Sequence, residues 1–185
     1  MAKIFRRYKS TIYGNYRKSY LIYGMVTGIA MFVILFVRDW MSDSPMSQPE
    51  NFITELVMGV GIFLFTYRYR EQLPDKKVTL KELMLLGLGI GVVGSVVYGL
   101  LTWVNCGSIN TELVEFYNQE RISVMEPAES SAEAKAAVEL VKKYTAGDWA
   151  FIGGFRSAVM SIILTFFAAL IFRTERSPVV ERNKK

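Results

Sequence analysis

The sequence predicts an all-α membrane protein, with four transmembrane helices and a helical extracytoplasmic insert between the third and fourth. Three observations predict it. Four apolar runs approach or exceed the length that crosses a hydrocarbon core of roughly 30 Å. Lys and Arg gather in alternate segments between those runs. Small residues recur at every fourth position along two of the runs, on one face of each, where missing side chains let another helix come close.

Composition narrows the alternatives. At 185 residues the chain has room for one domain. It is 51% hydrophobic and 21% charged, so the two classes must be segregated along it. Histidine is absent and Cys106 is the single cysteine. That composition removes histidine-ligated haem, zinc sites built on His and Cys, iron–sulfur clusters and imidazole catalysis. No catalytic, cofactor-binding or metal-ligating set stands out, and neither enzyme activity nor a cofactor is expected. An internal disulfide is excluded as well, so Cys106 reads as a small residue at a membrane boundary, open to an impermeant maleimide from outside.

Residues 1–19 carry Lys3, Arg6, Arg7, Lys9, Arg17 and Lys18 and no acid. Ile4, Phe5, Tyr8, Ile12 and Tyr16 recur at helical spacing, which suits either an amphipathic helix on anionic headgroups or a solvated basic tail. The first span is 20–37. No small-x-small cleavage site follows it, so it is expected to stay uncleaved. Gly24 and Gly28 repeat the spacing of four. Ser42 to Glu50, with Pro45 and Pro49, reads as a turn-rich connection.

The second span, 52–67, is the shortest and contains Glu55. As a helix it covers only about 24 Å, so it calls for bilayer thinning or anchoring by Tyr67 and Tyr69. A basic connection follows, with a turn at Pro74-Asp75 and a capping box formed by Thr79 and Glu82. The third span, 83–104, is 22 residues without a charge. Its stripe is Gly87, Gly91, Ser95 and Gly99.

The insert, 105–149, carries eight acids against Arg121, Lys135, Lys142 and Lys143. Two helices are expected in it, split near Pro127. The first runs from Thr111 to about Met125. The second starts at Ser130 or Ser131, aligns Ala134, Ala137, Val138, Val141 and Tyr144, and ends at Gly147. The fourth span, 150–172, contains Arg156 and the stripe Gly153, Ser157, Ser161, Thr165 and Ala169. The two stripes are expected to meet with the third and fourth spans antiparallel. A basic tail, 173–185, closes the sequence.

Lys and Arg number six before the first span, one in the first loop, five in the second, four in the long acidic third and five in the tail. The positive-inside rule then places both termini and the second loop in the cytoplasm. Trp40, Trp103 and Trp149 fall at the opposite boundary, while Tyr20, Tyr23, Tyr67 and Tyr69 gather at the cytoplasmic one. Such belts form because indole and phenol rings suit the interface.

Gly89, Gly91 and Gly94 spell the dinucleotide pattern G-x-G-x-x-G. That fingerprint needs a strand before it and a helix start at the glycines, and here they lie inside one apolar run. Helix packing explains them. The basic residues sit in short segments between spans and form no face with aromatic platforms, so no nucleic acid is expected. Anionic lipid at the cytoplasmic face is the electrostatic partner they suit. A protein partner or a second copy is expected at the insert or at the small-residue stripes.

Glu55 and Arg156 are the intramembrane charges. An ion in a bilayer needs a partner or water. From the helical rise, Glu55 lies about 5 Å and Arg156 about 9 Å below the outer boundary, close enough to pair. The pair reads either as structural or as lining a site for an ion or anionic ligand, and one acid with one base makes a poor proton relay.

The stretches YLIYGMVTGIAMFVILFV, KKVTLKELMLLGLGIGVVGSVVYG and SAVMSIILTFFAALIFRTE resemble a bacterial inner-membrane family known only as domain of unknown function 4199. The resemblance implies four spans, a helical insert before the last and a multi-pass inner-membrane location. It implies no reaction. The expected function is that of a non-enzymatic structural or interaction protein; the alternative is a small transporter or ligand-binding subunit using Glu55 and Arg156.

Overall fold

The computed structural model describes the backbone of residues 2–41, 52–73, 78–125 and 132–174, and their side chains from residue 19 onward except Asp39 and Ala132. All regular structure among these residues is helical. The helices are α1 (Ala2–Met41), α2 (Phe52–Gln72), α3 (Leu80–Val104), α4 (Glu112–Met125), α5 (Ala132–Val141) and α6 (Ala146–Phe172), with a π-helical turn, Asn105–Ile109, continuing α3. Four segments are long and apolar enough to cross a membrane: Ser19–Arg38, Phe52–Gln72, Leu80–Ile109 and Ala146–Phe172. The expected turns at 42–50 and 74–75, the split at Pro127 and the tail beyond 174 lie outside the described residues.

Several expected limits move. Residues 2–19 are helical and continuous with the first span rather than a separate segment. The second helix continues through Arg68, Tyr69, Arg70 and Glu71 to Gln72, because a helix does not stop where its apolar run stops. Its 21 residues cover about 31 Å, enough to span without thinning. The fourth begins earlier, at Ala146, where the Thr145 N–H donates to Asp148 Oδ2 at 2.7 Å. Gly147 therefore sits in the first turn of α6 and does not end α5, which stops at Val141. At α3 the capping box forms: the Thr79 N–H donates to Glu82 Oε2 at 3.0 Å and the Glu82 N–H to Thr79 Oγ1 at 3.3 Å.

The four long helices close into a bundle in the cyclic order α1, α2, α6, α3. Helices α2 and α3, neighbours in sequence, face each other across the diagonal with little contact. The register gives the directions. Gly87 lies against Thr165, Gly91 against Ser161, and Gly99 against Ala150 and Gly154, so α3 and α6 are antiparallel. Tyr20 lies against Gly89, Gly24 against Val93 and Gly28 against Val97, so α1 and α3 are parallel. The Tyr23 and Phe65 rings stack at 4.3 Å, and Gly61 lies against Thr27, which makes α1 and α2 antiparallel.

The interior is small and hydroxylated while the exterior is large and apolar. Thr27, Thr54, Thr66, Ser157, Ser161 and Thr165 are buried among Met31, Met58, Ile62 and Leu86. Val26, Val33, Leu64, Val96, Ile163 and Phe167 are exposed. In water so continuous an apolar surface would drive association. In lipid, burying leucine gains little, and close backbone approach with local hydroxyl bonds does the work. Thr27 Oγ1 donates to the Tyr23 carbonyl at 2.8 Å and Ser161 Oγ to that of Ala158 at 2.7 Å, so these hydroxyls are satisfied within their own helices.

The insert helices α4 and α5 pack together beside the π turn. Val138 and Val141 are buried, with Ala134, Ala137 and Tyr144 partly covered, so the expected apolar side of α5 is the covered one. On its outer side Lys142 Nζ donates to Glu139 Oε1 at 2.6 Å and holds that carboxyl below its ordinary range. Both side chains are exposed, and such a pair adds little stability.

Candidate functional site

Two constellations carry what chemistry the chain has. The first is the intramembrane ion pair. Glu55 sits in the first turn of α2, where the helix N-terminus favours a negative charge. Because α2 and α6 run parallel, with Gly59 against Leu164 and Phe63 against Phe172, the first turn of α2 comes beside α6 about three turns from that helix's start. There Arg156 Nε donates to Glu55 Oε1 at 2.6 Å. The Glu55 side chain is 12% exposed and that of Arg156 47%. A charge-assisted bond of this length neutralises both groups where water is scarce.

The second constellation joins insert to bundle. Trp149, in the first turn of α6, is 1% exposed. Its ring meets Tyr117 at 5.5 Å and Tyr144 at 5.7 Å, both close to edge-on. Its Nε1 donates to Asn118 Oδ1 at 2.8 Å, and Asn118 Nδ2 donates to the Tyr144 carbonyl at 3.2 Å. One amide thus binds α4 to α6 and to the chain between α5 and α6. Cys106 and Leu113 complete this cluster. The placement corrects two expectations. Trp149 is no interfacial belt residue, although Trp40 and Trp103 are exposed as a belt requires. Cys106 is buried and is a poor target for an impermeant reagent.

The small-residue stripes meet in part, Gly87 against Thr165 and Gly91 against Ser161. Gly87, Gly91, Ser95, Gly153, Ser157, Ser161, Thr165 and Ala169 are buried, with Gly99 half-buried. A strict spacing of four drifts on a helix of 3.6 residues per turn. Gly154, outside the expected stripe, makes a close approach to α3: a Cβ there would lie 3.2 Å from the Ser95 carbonyl oxygen. Gly89 and Gly94 face α1, at Tyr20 and the Gly24 carbonyl, while Gly91 faces Ser161 of α6, so the three lie within one helix at packing contacts and form no phosphate loop. Outside this contact a groove of about 490 Å³ runs between α3 and α6. Val96, Leu100, Trp103, Phe151 and Phe155 line it, with almost no polar surface to hold a substrate.

The sequence reading singles out neither Asn118 nor the Thr145–Asp148 cap. The cap had a local signature, a threonine followed three residues later by an acid. The Asn118 node depends on helices brought together from distant positions and had none.

Four membrane-length helices, an apolar outside and an inside of small residues define a multi-pass membrane protein. The chain belongs to the family of proteins of unknown function DUF4199, whose family model covers residues 21–174. No curated protein and no solved structure matches it.

Proposed function

We propose that this chain is a non-enzymatic protein of the bacterial inner membrane that holds its acidic insert outside the cytoplasm for a partner protein or a second copy. Both termini and the second loop are cytoplasmic in this reading. The observation that carries it is the Trp149–Asn118–Tyr144 node. A helical pair fixed by a buried tryptophan is a presented surface rather than a slack loop, and Glu112, Glu115, Glu133 and Glu139 on it are exposed. A rim of like charge raises encounter rates with a basic partner. The basic segments at the other end suit anionic lipid. The transport reading has less support, because Glu55 and Arg156 neutralise each other.

Crosslinking in membranes followed by purification in mild detergent tests this. The expected result is a discrete adduct attached through α4 or α5, weakened when Glu112, Glu115 and Glu139 are changed together to Gln. A chain that stays strictly monomeric and partnerless in lipid would contradict it.

A further inference from the structure

The groove outside the α3–α6 contact takes its shape from the close backbone approach beneath it. A Cβ at Gly99 would lie 3.2 Å from the Ala150 carbonyl oxygen, so the helices nearly touch along a floor of Gly99, Ala150 and Gly154. Larger side chains stand on either side of that floor. Val96, Leu100 and Trp103 rise from α3, and Phe151 and Phe155 from α6, all exposed. The two phenyl rings stack at 5.7 Å, with 17° between their planes, which fixes the α6 wall.

The dimensions decide what fits. From Val92 to Trp103 the groove follows α3 for about 16 Å, and from Ala158 to Gly147 it follows α6 equally far. Spread over that length, about 490 Å³ leaves a section of about 30 Å². An α-helix 10–12 Å across needs about 80–110 Å², so a helix of a second copy does not seat in it.

The parts of this chain outside the described residues do not fill it either. Residues 126–131 are held at Met125 and Ala132. Going down and back at ~3.5 Å per residue, they reach about 12 Å, and they carry Glu126 and Glu129. Residues 42–51 join α1 to α2, neither of which lines the groove, and bring Asp43 and Glu50. Residues 74–77 and 175–185 start from the opposite end of the bundle, where the Thr174 N–H donates to the Val78 carbonyl at 3.1 Å. Reaching the groove would draw their charges through hydrocarbon.

We propose that the groove holds one acyl chain of a phospholipid from the leaflet on the insert's side, with the headgroup end beside Trp103 and Gly147. At ~1.2 Å per bond of an extended chain, 16 Å takes about 14 carbons. The lining is nearly all apolar, so the chain is recognised and the headgroup is not. A chain leaving the bilayer gains no hydrophobic energy, since lipid tails are as apolar as leucine. Contact with a floor and two fixed walls holds it instead. The assignment adds a lipid at the base of the insert and does not depend on which side of the membrane the insert faces.

The test is native mass spectrometry of the full chain in detergent, titrated with single-chain phosphatidylcholines and phosphatidylglycerols bearing octanoyl, tetradecanoyl or octadecanoyl groups. The parent should bind one tetradecanoyl lipid about tenfold more tightly than the octanoyl one, gain little from octadecanoyl, and treat the two headgroups alike. Val96→Phe puts a ring into the groove from an exposed position and should weaken tetradecanoyl binding about tenfold. Ile163→Phe, exposed on α6 beyond the groove, should change it less than about twofold. Equal binding by parent and Val96→Phe would overturn the proposal, and so would an affinity set by headgroup rather than chain length. A dimer that Val96→Phe dissolves would overturn it in favour of a second copy. If Val96→Phe melts below the parent, Leu100→Phe on the same wall carries the test: a comparable loss supports the site and none overturns it.

Discussion

Trp149→Ala should destabilise the junction between insert and bundle by about 3–5 kcal/mol, the cost of emptying a fully buried aromatic site. The substitution removes two ring contacts, the cover over Cys106 and Leu113, and the donor to Asn118 Oδ1. The orphaned Asn118 amide then holds only the Tyr144 carbonyl. Asn118→Ala should cost less, about 1–2 kcal/mol, because it deletes hydrogen bonds without opening so large a space. Thermal melting in detergent with limited proteolysis reads both effects. The expected pattern is early cleavage within α4 or α5 in Trp149→Ala while the four long helices stay protected. If insert and bundle instead melt together at the parent's temperature, the node does not fasten them.

The other large effect belongs to the glycine contacts. A side chain at Gly91 would collide with the Ser161 Cβ and Oγ, and one at Gly87 would come within 2.5 Å of Thr165 Cγ2. Gly28 is tighter in kind, since a Cβ there would strike the Gly94 carbonyl oxygen, and backbone cannot rotate away. Gly91→Leu should cost about 1–3 kcal/mol, as overpacking does, and Gly28→Ala should fall in the same range. Gly59→Ala is the control, because its Cβ would meet Leu164 at 3.5 Å, an ordinary contact. Leu86 lies off the stripe but is fully buried, so exposed Leu85 is the neutral site. Melting together with size measurement discriminates. Lower melting at unchanged size matches helices packed within one copy. A stable, smaller Gly91→Leu species would mean that the stripe joins two copies.

Much of this was legible because the bilayer imposes long uninterrupted patterns. The third span shows no charge from Leu83 to Val104, and its glycine rhythm marks the face that meets α6. The parts that escaped notice depend on tertiary placement. Trp149 sits where a boundary residue should, and only the approach of Tyr117 and Tyr144 turns it inward. The extension of α2 past Tyr67 escaped because hydropathy marks the membrane, not the helix. Gly154 escaped because a strict interval of four leaves the contact line, which on α6 passes through Ala150, Gly154, Ser161 and Thr165. Pairing of Glu55 with Arg156 could be anticipated because few neighbours in a bilayer can answer either charge.

Which side the insert occupies is tested most directly by cysteine labelling in right-side-out spheroplasts. Cys106 is too buried to report, and positions 76 and 130 in the two connections lie outside the described residues. Lys135 on α5 and Lys81 at the start of α3 are exposed and belong to opposite ends of the bundle. With an impermeant maleimide, Lys135→Cys should label in intact spheroplasts and Lys81→Cys only after permeabilisation. Labelling of position 81 in intact spheroplasts, with position 135 protected, would invert the topology and contradict an insert presented outside.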